Sequence, residues 1–417
     1  MNTPNRPDVT DWANDFDPYH EEYLTDPYPI WKDIRESGCP IAHTDRFNGV
    51  YLPTKHEDIS AIAHDTENFS SKSVIISDVR VEDLGSFSSP PITSDPPDHQ
   101  DHRRVLLPAF SAKAIEKWLP ITRDICNELL DEFAENGSCD ASESYAKHIP
   151  VKVIARMIGI PEKDGDMFRR WVYELLEAGP TDVKLATKAT SEVFEYFGTF
   201  IESRRNDPRD DILTYLLEAD MNGKPLDDRQ ISGGLFLLLL AGIDTTWGTI
   251  GSSILHLSQN SEDRHRLVND PEAMDTAVEE FLRFYSPVSM ARVVTNEVEI
   301  SGTTLCPGQR VMLPFASANR DPDFLADAEE FQISREVNRH SAFGLGIHRC
   351  LGSNLARMEI KVALEEWLKR VPEFELTDSN KVTWAGGPVR GPRSIPLTWE
   401  TSQDTAVKRN SASAEST

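Results

Sequence analysis

One cysteine in this chain stands where a thiolate could form. Cys350 lies in the stretch Phe343-Gly344-Leu345-Gly346-Ile347-His348-Arg349-Cys350-Leu351-Gly352, whose two glycines before the cysteine permit a tight turn with close backbone approach. The apolar spacing that follows predicts a helix over 351–368, with Arg357, Glu359 and Lys361 on its polar side. Free amides and the dipole at a helix N-terminus stabilise a thiolate. Such a group can serve as nucleophile, redox sensor or metal ligand. A lone cysteine is more often a small buried hydrophobe, but the glycine spacing and His348 argue against that here.

A second set of reactive groups lies inside an apolar helix. Residues 232–257 are apolar nearly all round, so the helix is buried. At its centre stands Ala241-Gly242-Ile243-Asp244-Thr245-Thr246. A helical glycine costs about 1 kcal/mol relative to alanine. A buried carboxylate costs more unless it is paired or protonated. Two arrangements compensate: a widened groove that holds a small ligand beside the acid of Asp244 and the hydroxyl of Thr245, or a capping-type hydroxyl with Asp244 paired across the core. Spacing alone leaves the two level. Glu280 and Arg283, three apart on one helical face, form at least a simple i,i+3 pair, worth a few tenths of a kcal/mol on a surface.

The elements that must position these groups are mostly helical. Apolar residues recur at helical spacing over 114–133, 151–160 and 186–204. Strand-like pieces cluster around Gly49-Val50-Tyr51-Leu52 and over 292–313, where Val298-Glu299-Ile300 and Arg310-Val311-Met312-Leu313 flank the turn Cys306-Pro307-Gly308. The expected fold is mostly α: one large helical domain over 15–400 with small β-sheets at one edge. The polar, aperiodic segments 1–14 and 401–417 are expected to be disordered. A length of 417 residues would by itself suggest two or three domains, a soft expectation for helical enzymes.

Charge and cysteine usage exclude several classes. The net charge is −26, from 43 basic and 69 acidic residues, which opposes binding to nucleic acid over the whole surface. A well-solvated surface explains such acidity; a saline host is the alternative. Cys39, Cys126, Cys139, Cys306 and Cys350 form no CxxC pair and are odd in number, against a disulfide framework or a structural zinc site. The N-terminus has no signal-peptide pattern, and the longest strongly apolar run, 235–243, is nine residues against the roughly 20 that span a bilayer. A cytoplasmic protein without membrane contact is expected.

Taken together, the motifs resemble the cytochrome P-450 haem-thiolate monooxygenases in their soluble prokaryotic form. The family's cysteine signature, Phe-Gly-x-Gly-x-His-x-Cys-x-Gly, is met at every position of 343–352. In the required order, Asp95-Pro96-Pro97-Asp98-His99 with Arg103 resembles the haem-propionate helix, 241–246 the oxygen-activation motif, and Glu280-Phe281-Leu282-Arg283 the Glu-x-x-Arg motif. The resemblance covers about 20–400 and implies the P-450 fold.

It further implies haem b with Cys350 as axial iron ligand, and His99, Arg103, Arg292 and His348 as partners of the haem carboxylates. Asp244 and Thr245 become the catalytic acid–alcohol pair. Glu280 and Arg283, with Arg335, become a structural lock on the cysteine loop. One departure is Phe331-Gln332, where relatives commonly carry Phe-Asp. By position the substrate walls are the loop 74–93, Leu237, Leu240, Ala241, Val288, Met290 and Val389. Most are apolar, which implies a small to medium hydrophobic substrate. Arg390 and Arg393 read as structural loop arginines, with binding of a substrate carboxylate as the lesser reading. Electrons are expected from NAD(P)H through a separate ferredoxin or flavodoxin with its reductase, docking near Arg104, Arg349, Arg357 and Lys361, on a monomer. A peroxide-driven peroxygenase and a non-enzymatic haem ligand-binding protein are the competing readings.

Overall fold

A 32-residue helix, Asp228–Gln259, forms the axis of the molecule. It opens on a reciprocal cap: the Asp227 carboxylate accepts from the Gln230 amide at 2.8 Å and the Gln230 side chain accepts from the Asp227 amide at 2.9 Å. Two amides without helical partners are thereby satisfied. The helix is long and apolar enough to cross a membrane, but it is mostly buried by its own protein. Helices His148–Ile158, Val183–Asn206 and Ser353–Arg370 pack around it. The structure is a computed structural model that describes residues 7–78 and 89–401.

On one side of the axis the neighbour is a strand, Gly391–Ser394, and the contact is backbone to backbone. A Cβ on Gly251 would lie 2.9 Å from the Pro392 ring, and one on Gly391 would lie 2.6 Å from the Gly248 Cα. Only glycine permits that approach. It carries Arg393 onto the middle of the axial helix, where Asp244 stands.

The helical body is flanked by small sheets. The largest has five strands in the order Ile41–Thr44, Val50–Pro53, Arg310–Pro314, Ser289–Val294 and Phe69–Ser70. Its pairs are antiparallel except Val50–Pro53 beside Arg310–Pro314. Ser289–Val294 carries Met290 and Arg292, so this sheet supplies one wall of the site.

Two expectations need correction. The segment 114–133 is not one helix but two, Ala112–Glu116 and Trp118–Phe133. Pro120 is the reason: without an N–H it fits in a helix's first turn, so the chain restarts just ahead of it. The N-terminal boundary also lies earlier than residue 15. Trp12 packs with Phe16, His20 and Tyr23 at ring separations of 6.1, 5.5 and 6.2 Å, because a tryptophan just beyond a polar start has an aromatic cluster to join. Segments 1–6, 79–88 and 402–417, including most of the tail and half of the expected substrate loop, lie outside the described residues.

Candidate active site

The cysteine loop folds as its glycines require. Gly344 and Gly346 both have positive φ, +72° and +66°, and a Cβ on Gly346 would lie 2.3 Å from the Ala63 carbonyl oxygen. The turn closes where the Cys350 amide donates to the Phe343 carbonyl at 2.7 Å. The helix behind it starts at Ser353, two residues later than its apolar spacing predicts. Burial pushes the Cys350 thiol up; the Gly352 backbone amide and the cations Arg103, Arg349 and Arg357 pull the other way. In the protein alone, burial therefore outweighs the helix end that was expected to favour a thiolate.

Beside the loop stands a group of donors with no acidic partner among the described residues. His99 is 2% exposed, and neither of its ring nitrogens has a hydrogen-bond partner there. Its ring lies 4.4 Å from that of His348. Arg292 is buried and donates, at 2.7 Å, to the carbonyl of its own neighbour Ala291. Arg103 donates to the Arg349 carbonyl at 2.6 Å. Burial lowers all four groups from their ordinary values, Arg292 to about 10 and His348 to about 3. Donors placed this way are stabilised by anions, and Arg and His suit carboxylates. Ser71, which sequence reasoning missed, hydrogen-bonds His348 Nε2 at 2.9 Å, and its amide donates to Asp95 at 2.7 Å.

Between the loop and the axial helix lies a largely apolar cavity of about 230 Å³. Cys350 and Phe343 border it on one side, Ala241 and Thr245 on the other, with the four donors at its edge. Leu237, Val288 and Met290 line it as expected. Leu240 and Val389 do not. The helix presents its 237-241-245-249 and 238-242-246 rows to the cavity, whereas Leu240 stands on the adjoining row with Asp244. Val389 is a core residue, bridged to Val288.

Asp244 therefore does not face the cavity. Its Oδ1 accepts from Arg393 at 2.6 Å, and Arg393 also donates to Glu177 at 2.7 and 3.1 Å. Asp244 Oδ2 is buried without a partner among the described residues. Burial raises both acids, with Arg393 opposing. Of the two arrangements compatible with the sequence, the acid follows the cross-core pairing. Arg393 is thus buried between two acids, Glu177 and Asp244. Thr245 lines the cavity, and its hydroxyl donates to the Ala241 carbonyl at 2.8 Å, a bond to the preceding turn that bends helices. Thr246 lines the cavity as well.

Glu280 and Arg283 are no surface pair: both side chains are fully buried. Arg283 binds both carboxylate oxygens at 2.7 and 2.8 Å and donates to the carbonyls of Asn319, Ala328 and Glu330. Arg335 joins at 3.3 Å. Burial alone would raise Glu280, but the Arg283 bonds hold it below the usual range. Gln332 takes part through its backbone amide, 2.8 Å from Glu280, so the departure from Phe-Asp leaves this contact intact. The expected docking patch is weaker than its residue types suggest. Arg357 pairs with Glu279, Lys361 with Asp275 and Arg104 with Asp101. Among the described residues Arg349 makes no ion pair.

Comparison with known proteins agrees with this architecture. The sequence profile of the cytochrome P450 family matches residues 170–383. The polyketide biosynthesis cytochrome P450 PksS of Bacillus subtilis (strain 168) is 33% identical over 92% of this chain and 98% of its own length. Its solved structure superposes with a TM-score of 0.85 at 32% identity, covering 93% of this chain and all of that one. A vitamin D(3) 25-hydroxylase from Pseudonocardia autotrophica is 32% identical over 88% of this chain and 92% of its own. The chain belongs to the cytochrome P450 family and is a haem-dependent monooxygenase.

Proposed function

We propose that Cys350 would hold the iron of a haem b through its sulfur and that His99, Arg103, Arg292 and His348 would hold the two haem carboxylates. The observation that carries this reading is the cavity itself. It sets one cysteine sulfur beside four buried or half-buried donors that lack acidic partners among the described residues. Those donors fit the group: two carboxylates supply the missing acceptors, and the apolar walls suit a porphyrin face. Bound there, a haem would supply the oxygen activation that a monooxygenase needs.

The chain's own residues then do the rest. Thr245, a residue of the cavity wall, can hold a water as proton carrier through the free lone pairs of its hydroxyl. Asp244 stands one residue away and becomes a donor only when its carboxylate leaves Arg393. Glu280, Arg283 and Arg335 fix the segment leading to the cysteine loop. Leu237, Ala241, Val288 and Met290 offer an apolar wall to a small or medium hydrophobic substrate, in keeping with relatives named for polyketide biosynthesis and vitamin D(3) hydroxylation. Electrons come from NAD(P)H through a ferredoxin or flavodoxin and its reductase, and the protein acts as a cytoplasmic monomer.

The test is the spectrum of the reduced, carbon monoxide-bound protein. Cys350→Ala is expected to abolish the thiolate-type band, with Cys306→Ala leaving it unchanged. Survival of the band in the Cys350 variant would refute the assignment. Turnover with ferredoxin and reductase, against turnover with peroxide alone, separates the monooxygenase from the peroxygenase.

A further inference from the structure

Arg357 is the cation that a docking role leaves unexplained. It stands in the second turn of Ser353–Arg370, and helical side chains lean back toward the N-terminus, here toward the cysteine loop. Its guanidinium carbon lies 4.4 Å from the centroid of the Phe343 ring. Phe343 borders the cavity, and its carbonyl receives the Cys350 amide. Glu279 holds the guanidinium in a two-pronged grip at 2.5 and 2.9 Å, and accepts from His340 at 3.0 Å as well. A two-pronged pair fixes the plane of an arginine in a way a lysine cannot match.

A docking cation needs none of this: it should be exposed and free to meet a partner's carboxylate. Arg357 is instead 30% exposed, already paired, and pressed on an aromatic ring that belongs to the cysteine loop.

We propose that Arg357, held on Phe343 by Glu279, is a positioning residue that tunes how readily the iron at Cys350 accepts its first electron. The pair is a dipole whose positive end lies on the ring. Half-buried, the pair is screened less than it would be in open water. A positive potential at the sulfur withdraws electron density from the thiolate and so favours the reduced iron. Glu279 opposes this while it holds the guanidinium in place. One electron passes from the redox partner to the ferric iron; Arg357 exchanges neither electron nor proton.

This inference rests on the haem-thiolate reading, and its test keeps the two apart. The midpoint potential of the haem-loaded protein is measured by spectroelectrochemical titration, with the carbon monoxide spectrum recorded for every variant. Arg357→Gln is expected to make reduction about tenfold less favourable, a fall of about 59 mV for one electron. Glu279→Gln is expected to shift the potential upward, because the cation loses its counter-charge. Arg357→Lys keeps the charge without the flat stacking and should fall between wild type and Arg357→Gln. Should Arg357→Gln fail to take up haem, the opposite displacements of Arg357→Lys and Glu279→Gln decide the question in its place. Potentials unchanged within twofold, or displaced in the same direction by the Arg357 and Glu279 variants, overturn the proposal. So does an unchanged potential accompanied by a lost salt dependence of reduction, which would return Arg357 to the docking surface. Absence of the thiolate-type band in the wild type would instead sink the ligand assignment.

Discussion

Two buried acids in this protein each meet an arginine, and the two sites are built to opposite ends. Around Glu280 both oxygens are satisfied: Arg283 grips them, the Gln332 amide binds one and the Asn338 side chain, at 2.9 Å, the other. Around Asp244 one guanidinium serves two carboxylates, and an oxygen is left without a partner among the described residues. The first site holds its charge in one place. The second is under-compensated, so a proton or a swing of one side chain relieves it. The two sites thus differ in how fully their carboxylate oxygens are satisfied.

Breaking the lock should have the largest effect. Glu280→Ala strands the buried Arg283 and should cost about 3 to 5 kcal/mol, read from urea unfolding, with loss of haem retention. Removal of the cavity hydroxyl comes next: Thr245→Ala is expected to keep haem binding and partner oxidation while diverting O2 to hydrogen peroxide. General acid–base help of this kind is worth on the order of 10² or more in rate. The measurement is product formed per reduced cofactor consumed, and full coupling would exclude Thr245 from the relay.

The pH response should sharpen the same contrast, with a smaller effect. Glu280 is held below its ordinary value, so its stabilisation is present at neutral pH and is lost as pH falls through the folded value. Glu279, at about 2 against 4.5, behaves likewise, and its window runs from about pH 4.5 down to 2. Asp244 and Glu177 are raised. A raised acid favours folding at low pH, and that contribution is lost as pH rises through the folded value. Stability measured against pH should therefore show Glu279→Gln flattening the acid limb. Glu177→Gln should act in the reverse sense, making stability fall less as pH rises; matching slopes in the two variants would erase the distinction. The smallest effect belongs to Gln332→Asp. Since residue 332 meets Glu280 through its backbone, restoring the family's usual side chain should change stability by under about 0.5 kcal/mol.

How much of this is legible in the chain alone follows from how local each signal is. The cysteine loop is legible because two glycines, a histidine and a cysteine within ten residues specify one turn. The length and burial of the axial helix are legible from its unbroken apolarity. Apolarity does not assign the rows of that helix, so Leu240 reads as a wall residue although it shares a row with Asp244 and turns from the cavity. The partner of Asp244 lies 149 residues further along the chain, beyond the reach of any spacing argument. Arg357 and Lys361 read as free cations because their acids, Glu279 and Asp275, belong to another helix. Ser71 has no motif to betray it, and its role depends on the distant His348.

The glycine contact between the axial helix and Gly391–Ser394 also bears on the order in which the molecule is made. Asp244 leaves the ribosome well before its counter-ion Arg393, and the intervening 149 residues take roughly 7 to 30 s to synthesise at the usual elongation rates. During that interval a closed core around Asp244 would trap an unmatched charge, so the nascent helix favours keeping this face wet. Arrival of Gly391–Ser394 ends the wait: its backbone packs on Gly248 and Gly251, and Arg393 comes with it. Asp244 is thus among the last buried acids to receive its counter-ion, and a chain interrupted before residue 391 would carry the cysteine loop with Asp244 unpaired by Arg393.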